Sequence, residues 1–265
     1  MPELHTVVCM KVVPKPEEVR VNPQTRLLDR ANARSEMNPP DMNALEIALQ
    51  LKDRYGGRVS VISMGPPYFE PVLRVALAMG ADKLYLLSDR RFAGADTLAT
   101  TYTLAQGIHK MGGADLILCG EESSDGATGQ VPPGLAEWLD LAQLTLATQL
   151  DLDLDSRLVF GRRAVTGGYE ELQVPLPCVV SVRTASNEPR FMDYRIKERA
   201  MQEDPITVWT ADDLGADEAM IGLQGSPTVV SGLVQAPSQE RKRIYLEGSN
   251  EEIVKQLLNL LREVL

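Results

Sequence analysis

Apolar runs of strand length alternate with stretches of helical periodicity from Thr6 to about Leu141. Thr6–Val13, Arg58–Met64, Lys83–Leu87 and Leu116–Cys119 predict four strands. Between them, Asn43–Tyr55 puts Ala44, Ile47, Ala48 and Leu51 on one helical face, and Phe69–Met79 predicts a second helix closed by Gly80. Asp96–Met111 predicts a third, with Asp96 as N-cap and Gly112-Gly113 as its stop. A fourth starts at Pro132-Pro133 and runs through Leu135, Ala136, Trp138 and Leu139. Four strand-then-helix units predict an α/β fold, a Rossmann-like parallel sheet with helices on both faces. Glu17–Arg30 is polar and turn-rich, a small hairpin or excursion.

After Leu141 the pattern changes. Leu144–Leu150, Leu158–Arg163, Glu170–Val174 and Cys178–Val182 read as added antiparallel strands, with Gly167-Gly168 as a turn. Thr184–Pro205 is polar and reads as a long loop. Asp212–Gln239 lacks strong periodicity, and Gly225-Ser226-Pro227 and Pro237 suggest an extended arm. Glu251–Val264 is an amphipathic helix with Ile253, Val254, Leu257, Leu258, Leu260 and Leu261 apolar. The expected organisation is a nucleotide-binding α/β domain over 1–205, with antiparallel additions at 142–184 and a loop at 185–205. A C-terminal arm over 206–265 ends in a helix suited to pack on a partner.

The stretch with the most chemistry is Ala114–Pro133. The short apolar run Leu116-Ile117-Leu118-Cys119 breaks at Gly120 into small polar residues through Gln130, and a helix follows. Strand, small-residue loop, helix is how α/β proteins hold phosphate, on free backbone N–H groups and the positive end of a helix dipole. Gly126 and Gly129 permit close approach, and Ser123, Ser124 and Thr128 offer hydroxyls. The plain alternative is an ordinary polar strand-to-helix turn.

Composition narrows the classes. The chain has 265 residues, 44% hydrophobic and 24% charged, with a net charge of −10, which argues against nucleic acid as a partner. No run approaches the roughly 18 apolar residues of a membrane span, and the first residues lack the pattern of a signal peptide. Cys9, Cys119 and Cys178 are odd in number and far apart, which fits a reduced, cytoplasmic compartment. His5 and His109 are the only histidines and lack metal-site spacing, so no metal centre and no dedicated catalytic residue is expected.

Several blocks, in order along nearly the whole chain, resemble the beta subunit of electron transfer flavoprotein. They are Asn38-Pro39-Pro40-Asp41 with Ala44-Leu45-Glu46, Ser63-Met64-Gly65-Pro66, Leu77–Asp82, Asp115–Gly120 with Asp125-Gly126-Ala127-Thr128-Gly129-Gln130-Val131, and Asn187-Glu188-Pro189-Arg190. The resemblance implies an obligate heterodimer with an alpha subunit that carries FAD, while the beta subunit holds a second nucleotide. Matching positions place that nucleotide against Cys9, Asn38, Pro39, Asp41, Met64, Ser123, Ser124, Asp125, Gly126, Ala127, Thr128, Gly129, Gln130 and Val131. Conventional members hold a structural AMP. Ser88–Thr100, with Gly94, Ala95, Asp96 and Thr97, and Ile221–Thr228 are similar to the electron-bifurcating members, which hold a second FAD, take hydride from NADH and feed ferredoxin or flavodoxin. On this reading Gly94 and Ala95 leave room for a flat ring, and the alternative use of Asp96 is a plain N-cap. Glu188, Arg190, Phe191 and Tyr194 match the loop that docks a flavin dehydrogenase of the acyl-CoA dehydrogenase kind. Two departures stand out. Glu121 replaces a basic residue of the nucleotide loop, and Tyr194 stands where the docking loop has an aliphatic side chain.

Overall fold

The computed structural model describes residues 3–15, 20–21, 28–29, 34–229 and 243–264. The chain divides into two compact units, Met1–Gly232 and Leu233–Leu265.

The first unit is built on a nine-stranded sheet. In chain order the strands are β1 (His5–Cys9), β2 (Val12–Pro14), β3 (Arg20–Val21), β4 (Leu28–Asp29), β5 (Ser35–Met37), β6 (Arg58–Met64), β7 (Lys83–Leu87), β8 (Leu116–Gly120), β9 (Ala142–Asp153), β10 (Leu158–Val165), β11 (Gly168–Pro175), β12 (Cys178–Val182) and β13 (Ile206–Trp209). The main sheet runs β11-β10-β9-β12-β8-β1-β6-β7-β13. From β9 to β13 every neighbouring pair is parallel, while the β9–β10 and β10–β11 pairs are antiparallel, so β10 alone runs against the rest. β2 pairs with β5, and β3 with β4, in two small antiparallel ladders.

Helices cover both faces: α1 (Pro39–Tyr55), α2 (Glu70–Met79), α3 (Thr97–Lys110), α4 (Val131–Leu139), α5 (Tyr194–Glu203) and α6 (Ala211–Leu214). Alternation along the strands sorts the core into two layers. Val8, Val61, Leu84, Leu118 and Val180 pack with Ala44, Leu45 and Ala48 of α1 and Leu73 and Leu77 of α2. Val7, Cys9, Ile62, Ile117 and Val179 pack with Tyr102, Leu104 and Ile108 of α3 and Leu135 of α4. Burial on both faces explains why these strands read as continuous apolar runs.

β1 lies between β6 and β8, so the connections run outward in opposite directions from it. That reversal makes a crevice at the carboxyl ends of β1 and β8, the place where open α/β sheets bind ligands. The residues after β1 and the loop after β8 meet there.

The structure amends several sequence expectations. The first apolar run is two strands, broken at Met10-Lys11, and α1 starts four residues early at Pro39 because the Pro39-Pro40 pair suits the first turn. Cys178–Val182 is not part of an added hairpin but a parallel core strand between β8 and β9. The 184–205 stretch is not all loop: Asp193 accepts hydrogen bonds from the Arg195 and Ile196 amides and caps α5, and Asp204 ends it in the left-handed region. Ile206–Trp209 is an edge strand of the main sheet rather than the start of an arm. The Glu17–Arg30 excursion lies mostly outside the described residues, and so does 230–242 of the expected arm.

In the second unit, α7 (Asn250–Val264) is amphipathic. Ser249 and Glu252 form its capping pair, with the Ser249 amide and hydroxyl each 2.8 Å from Glu252 Oε2. Val254, Leu257, Leu258 and Leu261 are exposed.

Candidate functional site

The loop after β8 is held by the two segments that meet it in the crevice. Asn38 caps α1 by position but gives the helix no side-chain bond. Its side chain turns to the loop: Nδ2 donates to the Glu122 carbonyl at 2.8 Å, and Oδ1 accepts from the Ser124 amide at 3.0 Å. Asp41 is buried, and its two oxygens accept the Lys11 amide at 2.7 Å and the Gly120 amide at 3.1 Å. It therefore joins the exits of β1 and β8. Burial pushes its carboxyl up to about 7, against the pull of these hydrogen bonds and of Asn38. Lys11 Nζ lies 2.6 Å from Asp125 Oδ1 and 3.3 Å from Ser123 Oγ.

The loop then closes on itself. The Gly126 and Ala127 amides both donate to the Ser123 carbonyl, Ala127 and Gly129 take positive φ, and α4 begins at Val131. Among the described residues the amides of Thr128, Gly129 and Gln130 have no acceptor, and they lie at the positive end of α4. A Cβ on Gly126 would sit 3.0 Å from Ser123 Oγ and 4.0 Å from Lys11 Nζ. Free amides, hydroxyls, a cation and a glycine cradle are a donor set that fits a nucleotide phosphate. Glu121, the acidic departure, accepts from the Thr184 amide at 2.8 Å and so braces β12's exit.

Cys9 and Cys119 are register partners on β1 and β8, both buried. The Cys9 hydrogen bond and burial hold the Cys119 thiol well above its usual value, so it stays protonated. Met64, at the end of β6, packs partly buried on the layer beneath α3 and α4.

A second loop, 88–97, follows β7 and reaches the first through Thr97 Oγ1, 3.3 Å from Thr128 Oγ1. Asp96 accepts the Leu98 and Ala99 amides on Oδ1, so it is the N-cap of α3. Its Oδ2 accepts both the amide and the hydroxyl of Thr228, while its own amide donates to Ser226 Oγ. A Cβ on Gly94 would lie 2.6 Å from Leu223 Cγ, so the Cβ side of Gly94 is filled by Leu223 rather than left open as the sequence suggested. Arg91 ties the loop to Asp89, Asp212 and Glu218. Beside Arg91, the Asp89 carboxyl is held well below the usual range.

The four docking candidates divide. Arg190 is occupied within the chain, 2.9 Å from Glu46 and 2.8 Å from Asp53. Asn43 and Asn187 exchange hydrogen bonds beside it. These contacts fasten the segment to α1. Glu188 and Tyr194 are exposed, and Phe191 is 96% exposed.

Sequence reasoning missed Lys11, Asp89, Arg91, Leu223, Ser226 and Thr228 as members of these loops' contacts. The Ser226 and Thr228 partners sit about 130 residues away, beyond any local signal, although the resemblance had singled out their block.

Comparison with known proteins gives concordant matches. The profile of the electron transfer flavoprotein domain matches residues 25–214. A beta subunit of electron transfer flavoprotein from Thermoanaerobacterium thermosaccharolyticum is 40% identical over 258 residues, 97% of this chain and 98% of that protein. Protein FixA of Azorhizobium caulinodans is 43% identical over 94% of this chain and 90% of its own length. Subunit CarD of the caffeyl-CoA reductase–Etf complex of Acetobacterium woodii is 38% identical over 98% of both.

Proposed function

The chain belongs to the electron transfer flavoprotein family as a beta subunit, and from that premise we propose that it is a bifurcating member whose own nucleotide is a second FAD. When bound, FAD would supply the acceptor for a hydride from NADH and the division of its electron pair between the alpha-subunit FAD with its dehydrogenase and a low-potential carrier such as ferredoxin or flavodoxin. Electron transfer flavoprotein beta subunits pair with an alpha subunit, so the working unit is a heterodimer. By likeness to CarD, the dehydrogenase is one that acts on an acyl-CoA type substrate. No helix among the described residues is long and apolar enough to cross a membrane, and the three free, buried cysteines suit the reducing cytoplasm.

One observation carries the FAD reading. The two blocks that resemble the bifurcating members, 88–100 and 221–228, lie against each other through Asp96, Ser226 and Thr228, and Thr97 joins them to the phosphate loop. The phosphate cradle and the start of α3 are thus neighbours, and this chain's residues divide the binding work between them. The amides of Thr128, Gly129 and Gln130 take phosphate, and Asn38 and Asp41 fix the loop that presents them. Asp96 fixes the start of α3.

A second reading has its own observation. Leu223 covers Gly94, which suits the smaller AMP of a conventional carrier. Purifying the heterodimer and counting flavin separates the two. The bifurcating reading expects two FADs per pair and rapid bleaching of flavin absorbance by NADH with no dehydrogenase present. One FAD with one AMP, and no NADH reaction, refutes it.

A further inference from the structure

We infer that Lys11 is a ligand of the nucleotide's adenosine-side phosphate, held in readiness on Asp125 until the anion arrives. The inference rests on the nucleotide reading of the same loop and deepens it. Neither the blocks of family resemblance nor the matched nucleotide contacts include Lys11.

The observation is a cation placed at the cradle by its own backbone. Lys11 follows β1 directly, and its amide is fixed to Asp41 Oδ2 at 2.7 Å. Its carbonyl accepts from the Asn38 amide at 2.9 Å. Both ends of the residue are therefore tied to the start of α1, and the side chain must project across the switch point toward the loop after β8. There Nζ meets Ser123 Oγ and Asp125 Oδ1. It comes within 4.0 Å of where a Cβ on Gly126 would stand, beside Ser123 Oγ. The Lys11 side chain is 47% exposed, while that of Asp125 is 7% exposed. The ion pair is open to solvent on the lysine side, the side from which a phosphate would come.

The charge inventory favours this role. Of the loop's carboxylates, Glu121 is turned to the Thr184 amide, while Asp125 holds the Lys11 ammonium at the cradle, where it adds a full positive charge to the amides and hydroxyls. The Lys11 ammonium keeps about half of its side chain in solvent while it rests on Asp125. A phosphate offers it two or more non-bridging acceptor oxygens and can compete for it. The lysine is a point charge on a flexible stem and can turn from Asp125 to the phosphate without moving the backbone.

The rival is a plain structural staple that holds the loop shut, and the two differ in what they do to ligand charge. The test uses the full chain co-purified with its alpha subunit and freed of the beta-site nucleotide, titrated calorimetrically with AMP and with adenosine. A phosphate ligand requires Lys11→Met to weaken AMP by about tenfold or more while adenosine changes less than about twofold. Lys11→Arg should restore most of the preference for AMP. Equal loss for both probes, or an unchanged preference for AMP, overturns the role of Lys11 and leaves the nucleotide site standing. A wild-type complex that prefers AMP no more than adenosine overturns both.

Discussion

The loops after β7 and after β8 leave the same edge of a parallel sheet, yet different parts of the chain tie them down. The 120–130 loop is fixed from within the first strand-helix unit, by Lys11, Asn38 and Asp41. The 88–97 loop is fixed from the far end of the unit, by Asp212, Glu218, Gly222, Leu223, Ser226 and Thr228. The stretch matched by the family profile, residues 25–214, includes Asn38, Asp41, Asp89, Arg91 and Asp96, while Lys11 and the 221–228 block lie on either side of it. The two loops therefore answer to separate segments of the chain, and each should yield to substitution without the other.

The largest effect should come from filling the phosphate cradle. Gly126→Val puts a branched side chain against Ser123 Oγ, and we expect the beta-site nucleotide to be lost while the alpha-subunit FAD stays, as read by chromatography of the released nucleotides. Full retention would mean the cradle is elsewhere.

Asp96→Ala attacks the other loop. It removes a helix cap worth about 1 kcal/mol together with the Thr228 pair. Melting should fall by several degrees, and NADH should bleach the flavin at least about tenfold more slowly, on the transition-state arithmetic of a lost positioning contact. Phosphate grip should survive, so AMP-moiety content measured after denaturation should not change. Joint loss of both properties would mean the loops are one unit and the contrast between them is false.

Asp41→Asn sharpens the contrast through pH. The folded-state carboxyl lies at about 7, above its ordinary value, so between about pH 4 and 7 the folded chain keeps a proton that the unfolded chain releases. The contribution of Asp41 to stability thus falls as pH rises across that window. His5, lowered by burial and by Arg58, works in the opposite sense as pH rises through its usual range. Melting temperatures of wild type and variant measured from pH 4 to 8 should converge as pH rises. Parallel curves would show that Asp41 does not titrate there.

Phe191→Ala is the smallest perturbation, within about 0.5 kcal/mol for the chain's own stability, because the ring is 96% exposed. Electron delivery to the partner dehydrogenase should slow, and NADH bleaching should not. A large drop in melting temperature would place the ring in the fold rather than at a docking surface.

How far the sequence reached depended on where each element's cause lies. β6 and β7 match their expected ranges, and α3 differs only in leaving its cap residues out. Their boundaries are marked locally by Gly56-Gly57, Gly80, Asp96 and Gly112-Gly113. The loop between β8 and α4 was legible because glycine and hydroxyl residues concentrate in it. β13 was not. It has four residues, none fully buried, and pairs with β7 more than a hundred residues earlier. α5 has no buried residue, so the apolar periodicity that marks a helix is absent and only its cap announces it. The direction of β12 cannot be read from its residues, since Cys178–Val182 would be equally apolar in an antiparallel core. Asp125 and Asp96 could each be seen, but their partners, Lys11 and Thr228 among them, are a matter of topology.

The terminal helix adds a consequence of a different kind. α7 shows an apolar stripe and belongs to a unit of its own, yet it is the same polypeptide as the α/β unit. If a partner that grips the α/β unit also takes this helix, the second contact becomes intramolecular and the two would multiply into avidity. Such an assembly would resist dissociation more than either contact area would suggest, and would come apart in two steps.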